Sequence, residues 1–419
     1  MGNNMNTTAI SKKTRLHPWL RCLLFLTTAG GVQAEDFRET TGLFDALTGI
    51  NINETKFMQS LGVTINGWLE GGYTINPDDP RDNFNGPVTF NDRANEFMGN
   101  EAYLFFERGV NVEGDRWDFG GRVDFLFGTD ARFTQAAGLD DNIIGDDTFR
   151  FYKFAIPQLY VEAYAPYGNG ITVKLGHFYT IIGNEVVTAP GNFFYSHAYT
   201  MQYGEPFTHT GFLASYPLTD NISINGGGVL GWDNFSKDAE NLNFLGGVSW
   251  SSDDARTSLA VAIITGDVSD VGGTPDDPDN NRTLYSVVFN HDFTDRLHYT
   301  FQHDLGIEQR AINNNKSAEW FGINQYLFYD INETVSTGLR FEWFRDDDGT
   351  RVFVNDSSGL PVSAAANYFA ITGGLNWRPL RWVTVRPEVR YDWATNFEAF
   401  DNNSDKNQFV VAADIIVQF

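Results

Sequence analysis

The chain has 419 residues, 54 of them acidic against 29 basic, for a formal net charge of −25; 15% of residues are aromatic and 41 are glycine. So acidic a balance argues against nucleic acid as a partner. The one cysteine, Cys22, excludes a disulfide scaffold and a thiolate metal site.

Lys12, Lys13, Arg15 and Arg21 precede or open an apolar run at 20–29, which leads to Val32-Gln33-Ala34. A charged region, a short apolar region and a small-residue site predict a signal peptide over 1–34, cleaved after Ala34. The run is far short of the ~20 apolar residues that a spanning helix needs. Cys22 lies inside it, behind Arg21, which argues against a lipoprotein. Cleavage leaves 385 residues (419 − 34), with 25 basic (29 − 4) against 54 acidic, a net charge of −29. Residues 35–62 then form a periplasmic tail or a short plug; Phe44, Leu47 and Ile50 have helical spacing.

From residue 63 to 419 the periodicity changes to two. Sixteen strands are predicted, with 14 to 18 compatible with the pattern: 63–73, 100–110, 117–127, 158–165, 172–179, 211–216, 222–232, 243–251, 257–265, 283–292, 297–305, 319–329, 335–345, 368–378, 383–393 and 407–419. Val383, Val385, Val389, Tyr391 and Trp393 face one way, and Thr384, Arg386, Glu388, Arg390 and Asp392 the other. Phe409, Val411, Ala413, Ile415, Val417 and Phe419 likewise oppose Gln408, Asp414 and Gln418. A strand at 319–329 is ambiguous, apolar on both faces. The connections alternate between short turns, such as 111–116 and 166–171, and long loops, such as 76–99, 128–157, 306–317 and 346–367. A β-sandwich has no reason to alternate loop lengths so regularly. The pattern predicts an all-β transmembrane antiparallel barrel, with short periplasmic turns, long extracellular loops and a polar lumen.

The long loop at 180–208 differs from the others. They are rich in Asp, Asn and Gly, whereas this one carries Ile181, Ile182, Val186, Val187, Phe193, Phe194, Tyr195, Tyr199, Tyr203 and Phe207. An exposed patch of that size is unfavourable, so the segment needs a wall to pack on, and the nearest is the barrel interior. Folded inward, it brings Glu185, His197, Glu205 and His209 near the channel. Most of its aromatics also read as packing, and Gly204-Glu205-Pro206-Phe207-Thr208-His209-Thr210-Gly211 as a structural corner. Metal ligation by His197 and His209 lacks a supporting carboxylate–histidine spacing.

The runs Gly176-His177-Phe178-Tyr179, Glu185-Val186-Val187, Asn192-Phe193-Phe194-Tyr195-Ser196-His197, residues 204–211 and Gly231-Trp232-Asp233-Asn234 resemble the OmpL-like family of outer-membrane β-barrel porins. The resemblance is specific over 63–269 and looser beyond. It implies an outer-membrane porin and little about substrate. In general trimeric porins the loop after the fifth strand folds into the lumen as a constriction, and 180–208 occupies that place. The terminal Phe419 is similar to the signal read by the barrel assembly machinery.

The inward basic residues Arg122, Lys174, Arg340, Arg386 and Arg390 face acids that include Glu342 and Glu388. They form either an ion-pair lattice, with Arg386 on Glu388 and Arg390 on Asp392, or a charge ring that selects ions. The eight long loops hold 28 acidic and 11 basic residues, a vestibule that would concentrate cations. Asp276, Asp277, Asp279 and Asp346–Asp348 are either solvated or bind divalent ions that bridge to lipopolysaccharide. Gly226–Gly231 satisfies G-x-G-x-x-G but lies within a strand, so it reads as packing and not as a nucleotide fingerprint. No catalytic set stands out.

The expectation is therefore a porin for small hydrophilic solutes and ions, weakly cation-preferring, without enzyme activity, cofactor or metal. It sits in the outer membrane among lipid and lipopolysaccharide, with a homotrimer as its assembly. The alternatives are a substrate-specific channel lined by Trp68, Tyr103, Tyr160, Tyr164 and Phe178, and a structural barrel with no open pore.

Overall fold

Every strand from Thr64 to Gln418 that joins the main sheet pairs antiparallel with a neighbour on each side, and the first pairs with the last. In the computed structural model the strands are β1 (Thr64–Ile75), β2 (Phe97–Arg108), β3 (Asp118–Gly128), β4 (Lys153–Ala155 continued by Leu159–Ala165), β5 (Ile171–Tyr179), β6 (Thr208–Pro217), β7 (Ile222–Val229) and β8 (Asn243–Ser251). The second half comprises β9 (Thr257–Asp267), β10 (Asn281–Asp292), β11 (Leu297–Ile312), β12 (Lys316–Asn332), β13 (Val335–Asp346), β14 (Ala366–Leu380), β15 (Val383–Thr395) and β16 (Asn407–Gln418). This is a closed 16-stranded barrel. The structure describes residues 42–80, 82–145, 150–236, 242–268, 280–312, 316–355, 361–401 and 403–419. The predicted signal peptide and Asp276, Asp277 and Asp279 lie outside them.

Both halves of β4 pair with β3, Ala155 opposite Leu126 and Leu159 opposite Val123. Pro157 stands in the break, where its missing N–H cannot serve the ladder. The seam closes as Trp68 pairs with Gln418 and Ile75 with Val411. Beyond it, the Phe419 N–H donates to the Gly67 carbonyl at 2.9 Å and the Gly67 N–H to Phe419 O at 3.1 Å.

The faces are inverted relative to a soluble sheet. Arg340, Glu342, Arg390 and Asp392 are fully buried, while their strand neighbours Leu339, Phe341, Val389 and Tyr391 are exposed. The same alternation runs through Ile415 and Asp414, and through Ile371 and Thr372. Lipid on the outside and a polar interior account for this pattern, since no water-facing sheet exposes its leucines and hides its arginines.

Most strand ends shift by one to three residues, and two departures are larger. The predicted loop at 306–317 is mostly strand, because β11 and β12 run on as a hairpin from Glu308 opposite Ala318 to Ile312 opposite Lys316. Alternation of Ile307, Gln309 and Ala311 with charged or polar neighbours carries no turn residue that would end the pair before Asn313. The loop at 128–157 contains a short helix, α3 (Ala131–Thr134), and the first part of β4. Before the barrel, α1 (Leu43–Thr48) and α2 (Lys56–Leu61) lie at the starting end of β1, where Asn53 Nδ2 donates to the Ile65 carbonyl and its Oδ1 accepts the Ile65 N–H. Leu47 and Phe57 are exposed there, and Met58 is buried.

Several outer loops fold over the barrel mouth. Val88 and Phe90 from the β1–β2 loop, Val352, Val354 and Ala364 from the β13–β14 loop, and Phe400 from the β15–β16 loop are all buried. Asp346 folds the β13–β14 loop back by accepting the N–H groups of Thr350, Arg351 and Val352.

Candidate functional site

The segment between β5 and β6 lies inside the barrel. Its two ends are pinched together at the wall: the Thr180 N–H donates to the Phe207 carbonyl at 3.0 Å, and His209 Nε2 and Thr180 Oγ1 are 2.9 Å apart. Asp233, just past β7, accepts from the N–H of Phe207 (3.0 Å), the N–H of Thr208 (2.7 Å) and Thr208 Oγ1 (3.0 Å). Burial pushes the Asp233 carboxyl up to about 6 in spite of these donors. The glycine run of β7 thus delivers the chain to the base of the loop and not to a nucleotide-binding helix. A side chain at Gly227 would stand 2.0 Å from the Phe212 carbonyl, so that glycine serves close strand packing.

Five inward charges from two strands grip the centre of the loop. Arg340 on β13 donates to Glu185 Oε1 (2.8 Å), the Ser196 carbonyl (2.6 Å) and Ser196 Oγ (3.0 Å), and its Nε to Glu342 Oε1 (2.9 Å). Glu342 in turn accepts the Tyr199 N–H at 2.8 Å and lies 3.0 Å from Arg390 on β15. Arg390 donates to the His197 carbonyl and to Asp392, which also accepts the Tyr199 hydroxyl. Glu388 accepts the N–H groups of Tyr195 (2.9 Å) and Ser196 (3.2 Å). Each buried charge therefore has a partner, the condition under which buried ions are tolerated.

Glu185 is the loop's own anchor. It accepts from Arg340, from the Ala198 N–H (2.7 Å) and from the Tyr326 hydroxyl (3.0 Å), with His197 Nδ1 at 3.4 Å. Burial pushes its carboxyl up, but the Arg340 guanidinium, His197 and the Ala198 N–H outweigh that and hold it down at about 2.

The rest of the loop packs by shape. Phe193 and Phe194 sit against Tyr326 and Phe328 of β12, with 4.7 Å between the Phe193 and Phe328 rings. Trp320 Nε1 donates to the Gly204 carbonyl, and Thr200 Oγ1 to Asn324 Oδ1. This explains the doubly apolar β12: its inward aromatics receive the loop, and Phe321, Leu327 and Tyr329 face lipid. On the wall formed by β6–β10, Ile182 packs among the inward residues Leu213, Val229, Leu245, Ile264 and Leu284. From above, Gln202 Oε1 accepts from the Thr89 N–H and hydroxyl, the Tyr203 hydroxyl donates to the Pro87 carbonyl, and Arg351 Nε donates to the Tyr203 carbonyl.

The geometry is that of an outer-membrane barrel with an internal loop, and sequence comparison agrees. Residues 62–419 match the family described as "Putative beta-barrel porin-2, OmpL-like". The chain belongs to this family. It is a porin-like outer-membrane channel by family, and a search of the curated proteins finds no match. Solved structures share the fold at low identity. OprB of Pseudomonas putida is 12% identical with a TM-score of 0.58, over 87% of this chain and 96% of that one. The outer-membrane channel DcaP of Acinetobacter baumannii is 13% identical with a TM-score of 0.54, over 85% and 97%. OmpT of Vibrio cholerae in its trimer form is 11% identical with a TM-score of 0.55, over 85% and 99%.

In this OmpL-like porin, Glu185, His197, Arg340, Glu342, Glu388 and Arg390 share one network. Arg386 adjoins it through the Ala189 and Asn192 carbonyls. Its carboxylate partners correct the expected pairing with Glu388: they are Asp414 (2.5 Å), directly opposite on β16, and Glu70 (3.0 Å). Glu388 is taken by the N–H groups of Tyr195 and Ser196, and Asp414 stands directly across the ladder from Arg386. Glu205 lies apart, bonded by Gln302 at 2.5 Å beside Asp304, and His209 serves the loop base. Arg122 and Lys174 do not join the network. Arg122 pairs with Asp124 (2.7 Å) and Glu107 (3.7 Å), while Lys174 lies over the Tyr160 ring opposite Glu162. The sequence reading missed Asp233, Gln302 and Asn324, and missed the capping by other loops. Val88 and Phe90, and the run Val352-Phe353-Val354, in otherwise polar loops were the available signal.

Proposed function

We propose that this porin admits small hydrophilic solutes and ions through a lumen constricted by the loop at 180–208, with Glu185, His197, Glu205, Arg340, Glu342, Arg386, Glu388 and Arg390 setting the constriction and Arg122 and Lys174 lining the lumen to one side of it. The observation that carries this reading is the grip of Arg340 and Arg390 on the loop backbone, which fixes its position across the barrel. Deleting residues 188–200 tests it: single-channel conductance in a planar bilayer should rise several-fold, and unchanged conductance would remove the constriction.

The acidic outer loops support a weak cation preference, since the predicted long loops other than the inward one hold 26 acids (28 − 2) against 11 basic residues. Reversal potentials in a KCl gradient should carry the cation sign; a clear anion preference would overturn it. The trimeric form of OmpT and the exposed apolar belt support a homotrimer in lipid, which native-mass measurement of the detergent-extracted protein checks.

A second reading has its own support. Tyr199, Trp320, Arg340 and Phe344 are fully buried beneath the inward and capping loops, as suits a barrel at rest in a closed state. The aromatic track of the substrate-specific alternative is less favoured, because Trp68 and Tyr103 stack on each other at 4.1 Å and are buried. Bilayer recordings of the intact chain that show no steps, with steps in the deletion variant, would establish closure.

A further inference from the structure

A group of carboxylates beside the loop network lacks the cations that its neighbours have. Glu70 on β1 and Glu101 on β2 stand directly opposite each other and both face inward. Like charges in that position repel. Asp130, at the entry to α3, completes a set of three whose oxygens lie within 4.8 Å of one another, all buried. Among the described residues, Arg386 is the one cation bonded to any of them, through Glu70 Oε1, and it is shared with Asp414. Glu70, Glu101 and Asp414 thus share one guanidinium, and Asp130 has only His197 and the Arg132 guanidinium near it among the described residues, Arg132 being already paired with Asp92 at 3.0 Å.

A separate observation concerns the individual atoms. Glu101 Oε2 accepts from Trp68 Nε1 and from the Ala189 N–H, and Asp130 Oδ1 from Asn100 Nδ2 and Thr129 Oγ1. Glu70 Oε2 and Glu101 Oε1 accept nothing from the described residues, although these residues are only 6% and 2% exposed. A buried anionic oxygen without a donor is strongly unfavourable. Glu70 Oε1 and Glu101 Oε2 are held by fixed donors, so the free oxygen of each is presented and not averaged over rotamers.

We propose that Glu70, Glu101 and Asp130 bind one divalent cation of the calcium class. The donor set is all carboxylate oxygen, with neither sulfur nor a histidine nitrogen among the three, which suits a hard ion. Oxygens on one calcium ion at ~2.4 Å stand no more than about 4.8 Å apart, matching the spread of this set. The ion replaces the missing positive charge and joins β1 and β2 to α3. Through Glu101 and the Ala189 N–H it also supports the inward loop. The site needs the barrel to be folded and does not depend on whether the pore conducts.

Terbium(III), which replaces calcium on oxygen ligands, provides the test. The refolded full barrel in detergent at neutral pH, excited at the tryptophan band, should show sensitised emission through Trp68 with a stoichiometry of one, displaced by calcium chloride. Glu101→Gln and Asp130→Asn should each weaken calcium binding at least tenfold by equilibrium dialysis. Asp130 lies outside the strands, so its variant keeps the barrel, verified by heat-modifiable mobility on gels. Asp347→Asn, on an exposed outer loop, should leave the tight site intact. Equal calcium binding by the wild type and both cluster variants would overturn the proposal, as would the absence of any tight site in the wild type. In either case protons neutralise the cluster.

Discussion

At the residue scale, Glu185 decides how the loop responds to acid. Its folded value near 2 lies below the ordinary 4.5, so its ionised form is favoured in the docked state. That stabilisation is complete above about pH 4.5 and is lost as pH falls from there towards 2. Asp233 has the opposite sign: raised to about 6, it favours docking at low pH and loses that contribution between about 4 and 6. Glu205, pushed up by burial and by Asp304 beside it, acts like Asp233. The network around Glu185 should therefore stay closed at pH 5 and loosen below pH 3. Conductance recorded at the two pH values checks this, and Glu185→Gln should abolish the difference while raising conductance at both.

At the element scale, β12 and β13 are shaped to receive the loop, and glycine marks the contact points. A side-chain carbon at Gly322 would stand 2.1 Å from Thr200 Oγ1, and one at Gly338 would stand 2.6 Å from the Phe193 ring. Overpacking of such contacts costs roughly 1–3 kcal/mol. Gly322→Val and Gly338→Val should therefore expel the loop without opening the barrel, because both glycines lie within intact ladders. Proteolysis by chymotrypsin at the loop aromatics should accelerate about tenfold in each variant, while heat-modifiable gel mobility remains. The strands themselves were legible from period-two alternation, and the strict long–short loop rhythm set their order. The doubly apolar β12 was legible only as an anomaly. Its inward Trp320, Tyr326 and Phe328 look like a second lipid face until the loop that covers them is in place.

At the scale of the whole molecule, lipid is the outer solvent. Val389 is exposed on β15 and Arg390, beside it, is fully buried. Val389→Arg places a charge on the lipid face and should lower stability by about 2–4 kcal/mol if that position is near the bilayer midplane. Denaturant titration of the refolded protein in lipid vesicles measures it.

The amino-acid sequence alone determined the class of the molecule. Alternation, turn chemistry and the apolar character of 180–208 are local or short-range properties, and each survives without knowledge of a partner. Tertiary structure decided the partners. Arg340 and Glu185 are 155 positions apart, and Arg386 and Glu70 are 316 apart across the closing seam. Whether two inward charges meet depends on register accumulated around a closed ring and on where a long loop lies within it. No periodicity along the chain encodes either. For that reason Arg386 left its neighbour Glu388 for Asp414 and Glu70, Glu388 turned to the loop backbone, and Glu70 and Glu101 came face to face.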